Sequence, residues 1–392
     1  MYFTRKILPA LKEHLGKRQI TVLTGMRRTG KTTLVKHLLD EISSKNKIYI
    51  DLERLDNREI FSEKNYDSVL SGFRQRGIDI QKKSYIALDE IQLCPDIAST
   101  MKYLYDNHAI KFIVTSSSSY YLKNLFTESL AGRKKIFELY PLDFGEFLTF
   151  KKIPYAGGRF LEKQFALHEY ERLKKYYEEY IKYGGFPEVA LARTKEEKKD
   201  LVSDIISSYI NIDINSITDL RNQENLYKLM KLLAVRTGTR LDYMKLSRLS
   251  GISRVTLLKY MELLEKTYII FRISVISANP DREIVKAKKL YFCDNGILNY
   301  LGEISGGTQF ENAVFNQLRP CGRIDYYALK TGREIDFIMN KETALEAKET
   351  PEEADLKKLE QISRQAQIKK FRLIGRHPVP RFKNYIWGGD IR

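Results

Sequence analysis

Ile20-Thr21-Val22-Leu23-Thr24-Gly25-Met26-Arg27-Arg28-Thr29-Gly30-Lys31-Thr32-Thr33 decides the architecture of this 392-residue chain. An apolar, strand-forming run passes straight into a glycine-bounded loop, and Leu34, Val35, Leu38 and Leu39 then recur at helical spacing. Gly25 and Gly30 permit the tight bend that aims consecutive N–H groups at one anion. The helix behind the loop adds the positive end of its dipole. Lys31 extends to the outer phosphates, and Thr32 offers a hydroxyl to Mg²⁺. Residues 25–33 therefore read as a P-loop for a nucleoside triphosphate; the bland alternative is a glycine-rich turn that binds nothing.

Working outward, the next informative stretch is Tyr85-Ile86-Ala87-Leu88-Asp89-Glu90. An apolar run ending in two acids is a buried parallel strand whose carboxyl end opens at a crevice. Behind a P-loop, Asp89 is the acid that holds the Mg²⁺ shell, and Glu90 the one that orients and activates the attacking water. A third strand, Lys111–Thr115, leads into Ser116-Ser117-Ser118-Ser119. Thr115 and Ser116 are the candidates for sensing the γ-phosphate, against a plain serine-rich turn. Leu130-Ala131-Gly132-Arg133 precedes the strand Ile136–Leu139. Arg133 reads either as an arginine finger, completing its own site or that of a neighbouring subunit, or as a surface arginine in a basic loop.

These strands, with Lys47–Leu52, alternate with helical stretches, which is the rhythm of a parallel sheet covered by helices. Pro141-Leu142-Asp143-Phe144 is expected to close this α/β core, and Ala156-Gly157-Gly158 reads as a linker. The expected organisation is a P-loop core over 1–155, a helical lid over 156–235, a winged-helix domain over 236–302 and an α/β domain over 303–392. Gly184-Gly185-Phe186-Pro187 breaks the helical stretch, for which a spacer bundle is the alternative to a lid. In the third segment Leu246, Leu249, Ile252, Val255, Leu258, Met261 and Leu264 recur at three-residue steps around Gly251. That is the shape of a helix-turn-helix, with Tyr268–Ile273 and Lys289–Phe292 as strands of a wing. Ser253, Arg254, Thr256 and Lys259 would face a DNA groove, although winged helices also contact proteins.

Composition narrows the class. With 43% hydrophobic and 11% aromatic residues the chain can bury real cores. A formal charge of +17 favours a polyanionic partner, nucleic acid ahead of membrane. The excess is dispersed in pairs such as Lys82-Lys83 and Lys369-Lys370, many of which are ordinary solvated faces. Cys94, Cys293 and Cys321 have no metal-ligand spacing, and no run reaches the about 18 apolar residues of a membrane span. The expectation is a soluble, cytoplasmic protein.

Near the C-terminus, Glu334-Ile335-Asp336-Phe337-Ile338 is followed by Ala344-Leu345-Glu346-Ala347-Lys348. Strand alternation lets two neighbouring strands converge Asp336, Glu346 and Lys348 on one spot, with Glu311 offered from a preceding helix. Carboxylates binding Mg²⁺ beside a lysine are the metal-site logic of the restriction-endonuclease-like fold. A solvent-facing ion-pair ladder across two strands is the alternative.

Taken in order, Gly25–Thr32, Leu88-Asp89-Glu90, Leu130–Arg133, Gly184-Gly185-Phe186-Pro187-Glu188, Leu290-Tyr291-Phe292-Cys293-Asp294-Asn295-Gly296, Phe310-Glu311-Asn312, Glu334–Phe337 and Glu346-Ala347-Lys348 resemble the bacterial and archaeal AAA+-like ATPases that carry domain of unknown function 4143 at the C-terminus. The resemblance spans nearly the whole chain. It implies an ATP-hydrolysing core, a lid, a winged helix and a nuclease-like C-terminal domain, without fixing a biological role; a homo-oligomer is a further expectation, in line with an arginine finger that completes a neighbouring subunit's site. Ser116 and Asn295 depart from that pattern, where glycine and threonine are common.

Overall fold

The computed structural model describes residues 2–62, 65–95, 97–118, 130, 132–214, 223–277, 287–329 and 331–391. Contacts divide the chain into two compact units. One is Met1–Tyr140 with the short segments Asn211–Thr218 and Lys266–Tyr268; the other is Pro141–Ile210 with Asp219–Glu265 and Ile269–Arg392. Where the sequence suggested four segments with a first break at 155, the division falls at Tyr140. The cause is local. The Leu142 N–H donates to Gly185 O at 2.7 Å, and Asp143 caps the helix Phe144–Phe150 through a reciprocal capping box with Glu146. Pro141–Phe144 therefore opens the second unit instead of closing the first.

In the first unit, β1 (Ile20–Thr24), β2 (Lys47–Asp51), β3 (Ser84–Asp89), β4 (Ile110–Ser116) and β5 (Lys134–Glu138) form one parallel sheet in the order β2-β3-β4-β1-β5. The central strands are apolar on both faces because helices cover both. Ile20, Val22, Ile86, Leu88, Phe112 and Val114 pack one way, against Phe61, Phe73, Ile97, Met101 and Leu104. Leu23, Ala87 and Ile113 pack the other way, against Leu11, Leu34, Val35, Leu38 and Leu139. Edge strand β5 is instead half-exposed and begins with Lys134 and Lys135, charges that discourage pairing with another chain.

The second unit begins with helices, among them Leu167–Tyr183, Lys195–Ser208 and Gln223–Ala234. The helices Tyr243–Ser250 and Arg254–Lys266 follow, separated by Gly251 at φ +73°, and then the antiparallel pair β6 (Ile270–Ile273) and β7 (Lys289–Phe292). The helix Gly306–Leu318 leads into β8 (Ile324–Ala328), β9 (Glu334–Met339), β10 (Thr343–Lys348), β11 (Lys370–Gly375) and β12 (Ile386–Trp387), ordered β12-β11-β10-β9-β8. The pairs β8–β9 and β9–β10 are antiparallel, while β10–β11 and β11–β12 are parallel. A parallel neighbour requires a crossover, and the helix Glu353–Gln365 supplies it between β10 and β11. Ser305 caps the helix at Gly306, its Oγ accepting from the Thr308 N–H at 3.4 Å.

Two motifs distant in sequence meet in this unit. Asp294 caps the helix Asn295–Leu301, accepting from the Gly296 and Ile297 N–H groups at 2.7 and 3.3 Å, and its other oxygen accepts from the Gly185 N–H at 2.6 Å. Gly184 adopts φ +81°, and a Cβ there would lie 2.0 Å from Asp294 Oδ1. The glycine pair is thus the seat for a buried aspartate.

Candidate functional site

The carboxyl ends of β1, β3 and β4 in the first unit gather the chemistry. Gly25 has φ +148°, Arg28 +64° and Gly30 +95°, so the loop between β1 and the helix Lys31–Asp40 is built from left-handed turns. A Cβ on Gly25 would lie 2.0 Å from Leu139 O, which makes glycine obligatory there for a steric reason as well. Thr29 closes the loop on itself, its hydroxyl donating to Met26 O at 2.8 Å. Arg5 pins it from outside, donating to Thr29 O at 2.8 Å and Tyr140 O at 2.7 Å. Arg27 is held by Glu53 at 3.2 Å, and Thr33 faces solvent. Lys31 is only 4% exposed. Its ammonium donates to Gly25 O at 2.9 Å and Met26 O at 3.1 Å and lies 4.0 Å from Glu90.

Asp89 is the hub. Thr32 Oγ1 donates to its Oδ2 at 2.7 Å and Tyr49 OH to the same oxygen at 2.6 Å, while Thr115 Oγ1 donates to Oδ1. Burial, reinforced by the neighbouring Asp89, holds the Tyr49 hydroxyl well above its ordinary pKa, so it stays a donor. The same Thr115 hydroxyl accepts the Glu90 N–H at 2.9 Å. Because β4 lies between β1 and β3, Thr115 stands in register with Leu23 and bridges the P-loop strand to the acidic one. Glu90 adopts φ +56°, an unusual conformation for a side-chain-bearing residue, and its carboxylate is engaged by Gln92, which also donates to Ser117 Oγ at 3.1 Å. An oxygen set of Thr32 hydroxyl and Asp89 carboxylate is hard-cation chemistry, and these residues fit Mg²⁺.

Of the two sensor candidates, the structure brings Thr115 to the acids and turns Ser116 away. Ser116 Oγ donates to Ser118 O at 3.1 Å and shapes the serine turn. Arg133 lies apart from these residues. It precedes β5, its carbonyl accepts the Ile20 N–H at 2.8 Å, and its guanidinium pairs with Asp106 at 2.9 and 3.1 Å. That is the starting end of β1, and the P-loop leaves the opposite end, roughly 16 Å away at about 3.3 Å per residue. Arg133 therefore does not complete its own site. Sequence reasoning missed Arg5, Tyr49 and Gln92. A lone arginine, a strand tyrosine and a glutamine carry no motif, and only the sheet order gives them a role.

In the second unit, Arg254 and Lys259 are exposed on the helix Arg254–Lys266, and Ser253 and Thr256 are spent on its start. The Thr256 N–H reaches Ser253 Oγ at 3.2 Å, and the two hydroxyls are 2.9 Å apart. Those two residues are a helix cap first. Leu246, Ile252, Met261 and Leu264 are buried, whereas Leu249, Val255 and Leu258 are 45%, 67% and 42% exposed. At the C-terminal acids, β9 and β10 bring Asp336 and Glu346 side by side. The Asp336 N–H donates to Glu346 Oε2 and the Ala347 N–H to Asp336 Oδ2, both at 3.2 Å, and Lys348 pairs with Glu346 at 2.9 Å. Burial, with Asp336 nearby, raises the pKa of both Glu311 and Glu346. Lys289, at the start of β7, reaches into this cluster, which no spacing rule indicated.

Comparison with known proteins agrees with the N-terminal geometry. Residues 17–148 match the family described as AAA domain, and residues 174–308 match a Domain of unknown function (DUF8612). The second match corrects the resemblance to domain 4143: it covers residues 174–308 and stops before β8. An uncharacterized protein of Methanocaldococcus jannaschii is 27% identical over 369 residues, covering 89% of this chain and 80% of its own. One of Haemophilus influenzae is 26% identical over 339 residues, covering 82% and 80%. Among solved structures, the ADP form of the Aeropyrum pernix ORC2 protein aligns over 74% of this chain and 90% of its own, at 13% identity and a TM-score of 0.38, too loosely to bear on function. In sequence, and in the strand–loop–helix that would cradle a nucleotide, residues 17–148 are similar to AAA domains.

Proposed function

We propose that this chain is a Mg²⁺-dependent ATPase whose nucleotide state governs engagement of DNA. One observation carries the first half: Thr32, Tyr49 and Thr115 all donate to Asp89 at the mouth of the P-loop, with Glu90 held beside it through the same threonine. In this reading the loop amides and Lys31 bind the phosphates, so Lys31 exchanges its bonds to Gly25 O and Met26 O for the outer phosphate oxygens. Mg²⁺ bound at Thr32 and Asp89 supplies charge neutralisation of the phosphates. Glu90 takes a proton from water as the water oxygen bonds to the terminal phosphorus. The bond to the diphosphate breaks, leaving ADP and phosphate. Gln92 sets the orientation of Glu90. Arg133, unable to reach its own loop, serves a neighbouring subunit if it acts as a finger.

DNA engagement rests on the helix pair 243–266, the exposed Arg254 and Lys259, and the +17 charge. The test is steady-state ATP turnover with and without a panel of DNA and RNA structures. Lys31→Ala should abolish nucleotide binding. Glu90→Gln should bind normally and lose about 10²–10⁴ in turnover. Wild-type turnover in Glu90→Gln would dismiss the assignment of that residue.

A second reading is a nucleotide-gated interaction switch with a catalytically silent nuclease-like domain. The buried lysine among the C-terminal acids favours it for that half of the chain.

A further inference from the structure

Glu311, Asp336 and Glu346, read as a nuclease-like set, imply a divalent metal with Lys348 beside it. The structure brings these side chains together, yet their arrangement does not fit a metal. Lys289 occupies the centre. Its Nζ lies 2.9 Å from Glu334 Oε1, 3.3 Å from Asp336 Oδ1 and 3.8 Å from Glu311 Oε1, and its side chain is 1% exposed. The ring of Tyr326 lies 5.7 Å from the same ammonium. The carboxylates are otherwise engaged by fixed donors: Tyr291 OH on Glu311 at 2.7 Å, the Ala347 N–H on Asp336, and Lys348 on Glu346. Gly238 closes the Glu311 side, where a Cβ would lie 2.9 Å from Oε2. Among the described residues, no group of three or more His, Cys, Asp or Glu side chains is placed to hold a metal ion.

A divalent ion at these oxygens would stand close to a buried ammonium, and like charges at that separation repel strongly in a low-dielectric site. The ammonium already neutralises the acids it touches. Its backbone is held in place, because Lys289 begins β7 and that strand is paired with β6.

We propose that Lys289 is the resident cation of this cluster: it stands where a nuclease of this architecture would hold a metal, so the domain binds no divalent ion there and does not cut phosphodiesters. The cluster instead fastens β7 to β9 and to the helix Gly306–Leu318. This deepens the second reading above and rests on treating the C-terminal strands as nuclease-like.

The test titrates Mn²⁺, without nucleotide, into full-length protein carrying Asp89→Asn, which silences the P-loop cation site; bound and free Mn²⁺ are separated by electron paramagnetic resonance. With Lys289 intact, no saturable binding dependent on Asp336 is expected. Adding Lys289→Met should create one site, and adding Asp336→Asn should remove it. Saturable binding with Lys289 intact that vanishes on Asp336→Asn overturns the proposal. So does a folded Lys289→Met protein that gains no site. Should Lys289→Met fail to fold, the Lys289-intact arms decide, together with nicking of supercoiled DNA in Mn²⁺: nicking lost in Asp336→Ala refutes the proposal, and absence of such nicking supports it. The ATPase reading stands or falls separately, on Lys31→Ala and Glu90→Gln turnover.

Discussion

A single threonine hydroxyl joins the two acids at the end of β3, Asp89 and Glu90. Thr115 Oγ1 donates to Asp89 and accepts from the Glu90 N–H, and Thr115 itself is fully buried. Thr115→Val preserves shape and strands both partners, each costing roughly 1–3 kcal/mol when left unpaired, so about 2–6 kcal/mol of stability should be lost. Thr115→Ser should recover most of it. Urea denaturation of the three proteins measures this, and a valine variant as stable as wild type would show that the bridge contributes nothing. The surrounding residues divide by legibility. Lys31, Thr32, Asp89 and Glu90 could be read from the chain because a phosphate cradle and an acid-ended strand need those residue types at those spacings. Tyr49 and Gln92 could not. Their roles depend on which strand lies beside which, and no local pattern encodes that.

Between elements, the joint made by Gly184-Gly185 and Asp294 offers a pH test. Burial pushes the Asp294 carboxyl up to about 6, despite three backbone N–H donors that favour the ionised form. An unfolded aspartate titrates near about 3.9. The folded state therefore holds its proton more tightly across that interval. The contribution of Asp294 is fully present below about pH 4 and is lost as pH rises through about 6. Compared with Asp294→Asn, which cannot titrate, wild type should lose up to roughly 3 kcal/mol between pH 4 and 7 and no more above that. A difference independent of pH would refute the assignment. Gly184→Ala should cost several kcal/mol, since it combines a left-handed φ with a Cβ 2.0 Å from Asp294 Oδ1. Circular dichroism melting reads that directly; a variant within about 1 kcal/mol of wild type would mean the loop relaxes freely.

For the molecule as a whole, charge and assembly are the properties to measure. If Arg254 and Lys259 contact phosphates, replacing both with alanine should weaken duplex binding alike for all sequences. It should also flatten the log–log salt slope by about 0.9 per lost contact. An unchanged slope would move the helix pair from DNA to a protein partner. If Arg133 acts on a neighbouring subunit, wild-type turnover per chain should rise with protein concentration. Arg133→Ala should hold turnover low, by about 10³-fold or more. Turnover independent of concentration, and untouched by Arg133→Ala, would leave the residue as the surface partner of Asp106.

By itself the sequence determined the parallel α/β core, its nucleotide loop and its acid-ended strand, because continuous apolar runs, obligatory glycines and phosphate chemistry are local demands. It also marked the later acids and the strands that carry them. Tertiary structure decided the rest. It placed the division at Tyr140, where a capping box and a single backbone bond tie Pro141–Phe144 to the second unit. It set Arg133 at the far end of the sheet, and it drove Lys289 into the carboxylates where a metal was expected. Those outcomes turn on strand order and on which buried charge finds which counter-charge, and a chain read residue by residue does not contain either.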